Sequence, residues 1–436
     1  MGKTGSKRAR SAGPVRAAAL LLALLTNTGL TAQAAVIGRM TPPEPLTEAR
    51  IAALPAPQQG PWQAYLARSR ALAALDKTAL AAERAALAGP APADPPEDHS
   101  GGAGMPLDRP AAWYGTPEAR HVADVIVSFQ TAAGGWGKNV DRRGPLRQPG
   151  QHWVASGKSF VGTIDNNATT TELRFLARVQ AQTPGPAGQA YRDAFLKGAR
   201  YLFDAQYPNG GYPQVYPLEG GYHDAVTFND DALIDVVEVL EDIARRDRDY
   251  AFVPAPVAGA ARAALDKAVQ LILATQVVRD GVRTAWGQQV DVLTLTPAGA
   301  RNFEPVSLVS QESAALLLYL MAQPAPSPEA AAAVHAGAAW LKAAALRDIA
   351  WSAATPDAGR QRVARPGAGP LWARYYDIAS MRPVFGDRDR SIHDDVNELS
   401  LERRNGYAWY GTRPAQALAA YATWAPRHPP AAAVPH

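Results

Sequence analysis

Apolar residues recur at three- and four-residue spacing in several separate stretches, and each stretch follows a polar, turn-forming segment. Leu233, Val236, Val237, Leu240 and Ile243 form one stripe, Leu173, Leu176 and Val179 a second, and Ala314, Leu317, Leu318 and Met321 a third. Each predicts an amphipathic helix with one buried face. The first stripe follows Asn229-Asp230-Asp231, with Asn229 placed to cap the helix and the two aspartates in its first turn, where the macrodipole favours negative charge. The second follows Asp165-Asn166-Asn167, and the third is expected to begin near Glu304-Pro305, with Pro305 at a first helical position. Nearer the N-terminus, Trp62, Tyr65, Leu66, Leu72, Leu75, Leu80 and Leu87 line two predicted helices joined near Asp76.

Between Ala112 and Thr423 the pattern repeats loosely. A predicted helix ends in glutamine, and a turn with small residues and an aromatic follows: Gln130 leads to Gly134-Gly135-Trp136, Gln206 to Gly210-Gly211-Tyr212, and Gln276 to Thr284-Ala285-Trp286. The glutamines lie 76 and 70 positions apart, room for a helix pair each time, which predicts helical hairpins stacked around a ring. If alternate helices run the same way, the polar segments before them meet at one rim. The aromatics are expected to wedge helix ends, and Trp136, Tyr212, Trp286 and Tyr222 are also candidates for exposed faces that stack on sugars.

Composition changes the picture at the ends. Lys3, Lys7, Arg8, Arg10 and Arg16 precede an apolar run from Ala17 to Leu25, and Ala32-Gln33-Ala34 offers a small-residue cleavage site, so residues 1–34 read as a signal peptide. The run is too short to span a membrane. Without those five bases the formal charge falls from +4 to −1, which removes the bulk basicity a nucleic-acid partner would need. The expected mature protein is secreted or periplasmic, monomeric, and free of both membrane and nucleic acid. There is no cysteine, which excludes disulfides, thiol nucleophiles and thiolate metal sites. Residues 35–104 read as an Ala/Pro-rich helical extension and linker, 105–425 as the catalytic domain and 426–436 as a disordered tail.

Asp165, Asn166, Asp230 and Asp231 are oxygen donors of the kind that suits Ca2+ or Mg2+. Taken one at a time they are ordinary helix-start residues. The eight histidines are scattered and form no zinc pattern. Arginines crowd the other half of the chain: Arg301, and then Arg374, Arg382, Arg388, Arg390, Arg403 and Arg404 between Trp372 and Arg404. Guanidinium forks bind carboxylates, so a polyanionic substrate fits better than a neutral one. The neighbouring Asp377, Asp387, Asp389, Asp394, Asp395, Glu398 and Glu402 equally allow an internal ion-pair network, to which Arg403 and Arg404 are assigned.

The strings GGWGKNVD (134–141), GTIDNNATTTELRFLA (162–177), GGYPQVYP (210–217), YHDAVTFNDDA (222–232), AWGQQVD (285–291), ARNFEPVSLVSQES (300–313), ARYYDIASMRPVFGDRDRSI and ERRNGYAWYG together resemble the pectate lyases of polysaccharide lyase family ten. The resemblance spans roughly Pro110 to Thr412, with Gly137 in place of an expected proline and Asn167 where an acid is common. It implies an all-α fold, an α/α toroid forming an incomplete barrel of helical hairpins, with long irregular loops and short β pieces at the rim. It also implies cleavage of polygalacturonate by anti β-elimination with Ca2+. On this resemblance Asp165, Asn166 and one of Asp230 or Asp231 bind the ion, and Arg301 matches the Brønsted base. Arg374, Arg388 and Lys138 match ligands of substrate carboxylates, and Arg382 joins them as a candidate from the arginine-rich stretch. Arginine holds its proton tightly, so Arg301 is either a transient base or an electrostatic stabiliser. A toroidal glycoside hydrolase would have Asp165 and Asp231 as candidate carboxylates but would not explain the arginines. A non-catalytic acidic-glycan binder would not need Arg301 beside the acids.

Overall fold

The predicted stripes become buried helix faces in the computed structural model, which describes residues 35–98, 105–155 and 159–430. The signal-peptide assignment to residues 1–34 lies outside the described residues. The helices are α1 (Glu48–Ala52), α2 (Ala56–Ala85), α3 (Pro117–Ser128), α4 (Thr170–Gln182), α5 (Gln189–Ala205), α6 (Ala232–Arg245), α7 (Ala255–Ala274), α8 (Gln311–Ala322), α9 (Pro328–Ala343), α10 (Leu401–Asn405) and α11 (Arg413–Trp424). In α6 the residues Leu233, Val236, Val237, Leu240 and Ile243 are all fully buried. Each such side chain contributes about 1.5–3 kcal/mol when removed from water. The fold is largely helical, and its strands are only two to four residues long.

Helices α3, α5, α7 and α9 pack successively against one another, as do α4, α6, α8 and α11, and each hairpin joins the two rows. The glutamine repeat explains the register. Gln130 Nε2 donates to its own turn at Gly134 O (2.8 Å) and to Ala194 O of α5 (2.9 Å). Gln206 does the same with Gly210 O (3.1 Å) and Ala264 O of α7 (2.8 Å), and Gln276 with Thr284 O (3.0 Å) and Ala333 O of α9 (3.0 Å). Each clamp therefore ties one hairpin to the next, with a net worth of about 1 kcal/mol per bond. Gly134 and Gly210 have φ of 108° and 97°, and a Cβ at Gly210 would meet Lys267 O at 2.3 Å, so the turns need glycine both for backbone and for space. Trp136, Tyr212 and Trp286 are fully buried, which overturns their candidacy as sugar-stacking surfaces. The indoles of Trp136, Trp286 and Trp372 instead donate to helix carbonyls at Ile126, Ile272 and Leu341 (2.7, 2.7 and 2.8 Å).

Short antiparallel pairings run along the starts of α4, α6 and α8. The largest sheet has the order Gly38–Arg39, Ser391–His393, Pro383–Gly386, Tyr375–Tyr376, Leu308–Val309, and a second joins Val226–Thr227, Gln289–Val290 and Pro297–Ala298. Thr163, Thr227 and Val309 donate equivalent N–H bonds to the carbonyls of Trp136, Tyr212 and Trp286 (3.0, 3.1 and 2.8 Å). The three polar segments thus leave the same rim.

Several expectations are corrected. The chain does not break at Asp76: α2 is one 30-residue helix, and Asp76 is buried with Oδ1 accepting from Ala133 N–H at 2.7 Å. The third helix begins at Gln311, not at Pro305, because residues 308–309 are first spent in the sheet. Asn229 does not cap α6; Asp231 stands at that position in a left-handed conformation with no side-chain cap bond. The extension is part of the core, with Trp62, Tyr65 and Leu66 buried and Tyr65 Oη bound to Ala205 O at 3.0 Å. At the other end, residues 431–436 of the expected disordered tail lie outside the described residues, and His428 stacks its ring on Trp424 at 4.2 Å.

Candidate active site

Two turns of nearly identical backbone form the floor. In Asp165–Asn167, Asn166 has φ 50°, ψ 38° and Asn167 has φ 62°; in Asn229–Asp231, Asp230 has φ 49°, ψ 39° and Asp231 has φ 64°. Asn and Asp tolerate this left-handed region better than other non-glycine residues, a local reason for these types here. Thr163 Oγ1 accepts from Asp165 N–H (3.0 Å) and Thr227 Oγ1 from Asn229 N–H (3.3 Å), so even the bracing threonines repeat. The turns lie against each other at the rim.

A cavity of about 450 Å³ opens over them, lined by Asp165, Asn166, Asn229 and Asp230 on the floor, by Arg301 and Glu304, and by Lys138, Phe160, Gln214, Tyr222, Gln288 and Gln289. Asp165 is buried, with Lys138 Nζ on Oδ2 and Gln214 Nε2 on Oδ1 at 2.9 Å. Asp230 is exposed, takes Asn229 Nδ2 on Oδ2 at 2.8 Å, and meets Arg374 Nη2 at 3.1 Å through Oδ1. Asp231 points elsewhere: Arg413 Nη1 lies 2.7 and 2.6 Å from its two oxygens, and it does not line the cavity.

Arg301 is carried by the tight turn Ala300–Glu304, closed by Ala300 N–H to Glu304 O (3.1 Å) and Glu304 N–H to Arg301 O (2.8 Å). Its Nε and backbone N–H both reach Glu304 Oε2 at 2.9 Å, and its Nη2 reaches Oε1. Tyr407 Oη donates to the same Oε1 at 2.6 Å. Burial opposes both charges, yet the Arg301 hydrogen bonds bring the Glu304 carboxyl down to about 2, and Glu304 in turn raises the Arg301 guanidinium above its ordinary value. Arg301 is a firmly held cation at rest, and its Nη1 makes no hydrogen bond among the described residues.

The other predicted arginines separate. Arg374 is 7 % exposed, and its Nη2 is shared by Asn229 Oδ1 (3.0 Å), Asp230 Oδ1 (3.1 Å) and Glu312 Oε1 (2.6 Å). Through Nη2 it braces the second turn, and it does not line the cavity. Arg388 is exposed, paired with Glu402 (3.0 Å), and its guanidinium lies 5.1 Å from the Phe303 ring that also faces Arg301 at 5.0 Å. Arg382 is exposed and outside the cavity lining. Arg403 is buried over Phe303 (4.2 Å), and Arg404 donates to Arg360 O at 3.4 Å, as expected of structural arginines. Sequence reasoning missed Gln214, Glu304 and Tyr407; they sit inside the GGYPQVYP, ARNFEP and ERRNGYAWYG strings, the one signal available.

The pectic acid lyase family model matches residues 130–418. The chain belongs to the pectic acid lyase family. Solved structures of the family 10 polysaccharide lyase from Cellvibrio cellulosa, and of an alanine mutant of it in complex with a trigalacturonic acid ligand, are each 34 % identical with a TM-score of 0.63. They cover 74 % of this chain and 97 % and 98 % of their own. Comparison with curated proteins gives no match. The protein is therefore a polysaccharide lyase, and the matched family region contains both floor turns, Arg301 and Glu304.

Proposed function

We propose that this lyase is a calcium-dependent pectate lyase that cleaves polygalacturonate by anti β-elimination and releases 4,5-unsaturated oligogalacturonides. The observation that carries the reading is the meeting of Asp165, Asn166 and Asp230 with the Arg301 guanidinium around one cavity. The donor set is oxygen-only, and two further lining residues, Gln214 and Gln289, have buried Oε1 atoms without a partner among the described residues. Among those residues no three His, Cys, Asp or Glu side chains cluster as a metal site. A hard cation taking six to eight oxygens fits if substrate carboxylate and water complete what Asp165, Asn166 and Asp230 begin. When bound, Ca2+ would supply Lewis-acid stabilisation of the uronate carboxylate.

The proton alpha to that carboxylate is weakly acidic because its removal builds a second negative charge. Arg301 and Lys138 bring positive charge to the place where this charge develops. The C5–H bond breaks, its electron pair becomes the C4–C5 double bond, and the C4–O bond departs with the leaving sugar. Glu304 keeps the neutral form of Arg301 scarce; that form takes the C5 proton and is left as the cation beside the carboxylate, so the rate rises with pH into the alkaline range. The two helix rows are read as an open α/α toroid, and the protein acts outside the cytoplasm as a monomer; no helix among the described residues is long and apolar enough to cross a membrane.

Ultraviolet absorbance during incubation with polygalacturonate tests this reading. An unsaturated product should accumulate with calcium, stop with a chelator and resume when calcium is restored. A flat trace with calcium present would sink the lyase activity on this substrate. A chelator without effect would remove the ion.

A further inference from the structure

Residues Ile37–Arg50 lie outside the region matched by the family model, yet they touch three loops around the candidate site. Gly38 and Arg39 pair with Ile392 and Ser391, flanked by Ile37 N–H to Ile392 O (2.8 Å) and Met40 N–H to Arg390 O (2.9 Å), just beyond Arg388. The Thr41 carbonyl packs so closely on Gly299 that a Cβ there would come within 2.8 Å, two residues before Arg301. Leu46 lies beside the buried Asp224, whose carboxylate takes Gly220 N–H at 2.9 Å in the loop presenting Tyr222.

Arg50 fastens this strap. Its Nη1 donates to Glu44 O (3.0 Å) and Pro45 O (3.2 Å), and its Nη2 binds Asp291 Oδ2 at 2.6 Å. Asp291 Oδ1 accepts from the N–H groups of Leu293 (2.9 Å) and Thr294 (2.8 Å), closing the turn that opens the loop toward Arg301. The Arg301–Glu304 pair lies within one turn, so it fixes the guanidinium relative to that turn only. Where the turn stands relative to Asp165 and Asp230 depends on what holds its two flanks. One flank is the strand Pro297–Ala298, tied through Gln289–Val290 to Val226–Thr227; the other is the strap.

We infer that the strap Ile37–Arg50 sets the position of the loops carrying Arg301, Arg388 and Tyr222, with Arg50 and Asp291 as positioning residues for the lyase reaction. The inference rests on the proposed function. A displacement of about 1 Å at a reacting group can cost on the order of a hundredfold in rate, so a strap that merely limits such movement affects turnover more than binding.

Steady-state kinetics on polygalacturonate, well below the unfolding temperature, compare Arg50→Ala, Arg50→Lys, Asp291→Asn and the Arg50→Ala/Asp291→Asn double variant. Arg50→Ala should lower kcat about tenfold with KM within about twofold. Arg50→Lys should recover part of the loss, and the double variant should be no worse than Arg50→Ala alone, because the two residues act as one pair. Amide hydrogen exchange over residues 291–301 should speed up in Arg50→Ala. An unchanged kcat with only a lower Tm, additive losses, or unaltered exchange over that segment would each overturn the inference. If the wild-type protein forms no unsaturated product, the proposed function fails and the exchange measurement alone decides the strap.

Discussion

Two turns at the rim read Asp-Asn-Asn at 165–167 and Asn-Asp-Asp at 229–231, with second-position dihedrals of 50°, 38° and 49°, 39°. The first positions, Asp165 and Asn229, are both 4 % exposed; the second positions, Asn166 and Asp230, both line the cavity. The third positions turn away, Asn167 Nδ2 to Asp235 (2.8 Å) and Asp231 to Arg413. The backbone therefore asks only for Asn or Asp at positions two and three, and the choice of acid or amide is free to serve partners. Asp165 is an acid because Lys138 and Gln214 face it. Asn229 is an amide where Arg374 already serves Asp230 and Glu312, and a further carboxylate there would crowd one cation with three acids. One carboxylate per turn reaches the cavity.

The largest test of this equivalence is Asp230→Asn, which keeps the left-handed turn and should lower kcat on polygalacturonate by about 10²–10³, because it removes a proposed ligand of the cation that stabilises the developing charge. Adding Asn166→Asp to that variant returns a carboxylate to the same positional class and should recover at least about tenfold of the loss. Asp231→Asn should leave kcat within about threefold, since its oxygens serve Arg413; a larger loss than for Asp230→Asn would break the comparison. Next comes the charge opposite the turns. Arg301→Lys, which cannot reproduce the two-pronged grip on Glu304, should lower kcat about 10- to 100-fold, and a near-normal rate would count against its assigned role.

Stability separates the two acids. Asp165→Ala strands the half-buried Lys138 ammonium and the buried Gln214 amide and should cost about 1–3 kcal/mol by urea unfolding. Asp230→Asn should cost less than about 1 kcal/mol, because Arg374 keeps Asn229 and Glu312. A pH-dependent effect concerns Asp235, which joins the first turn to α6. Burial is the main cause that pushes its carboxyl up to about 6, against the attraction of Arg174. A raised carboxyl contributes stability that is full below its unfolded value near 3.8 and is lost as pH rises through about 6. Asp235→Asn should therefore gain stability over the wild type by about 1–2 kcal/mol at pH 8 and nothing at pH 3. An equal difference at both pH values would remove the linkage.

Much of the scaffold is legible in local pattern. The stripes of α4 and α6, the glutamine-ended helices and the glycine turns are all short-range signals, and short-range geometry decides them. Asp165, Asn166 and the Asp230–Asp231 pair stand out for the same reason: left-handed turns before helices select Asn and Asp, and the resemblance adds their chemistry. What local pattern leaves open is each side chain's partner. Asp230 and Asp231 are neighbours in sequence, and only Arg374 and Arg413, 144 and 182 positions away, tell them apart. Arg374 reads as a ligand for substrate, and the fold adds three acceptors at its Nη2 that no local pattern announces. Trp136 and Trp286 read as open faces until helix carbonyls claim them. Asp76 reads as a break between helices until the Ala133 amide explains a carboxylate inside a continuous one. Most helix faces, the glycine turns and the stock of acids and arginines thus follow from the sequence, because they depend on neighbours a few residues apart. The tertiary structure alone decided which charges are spent on one another and which remain for a substrate, because a charge is neutralised by whatever packs beside it, however distant in the chain.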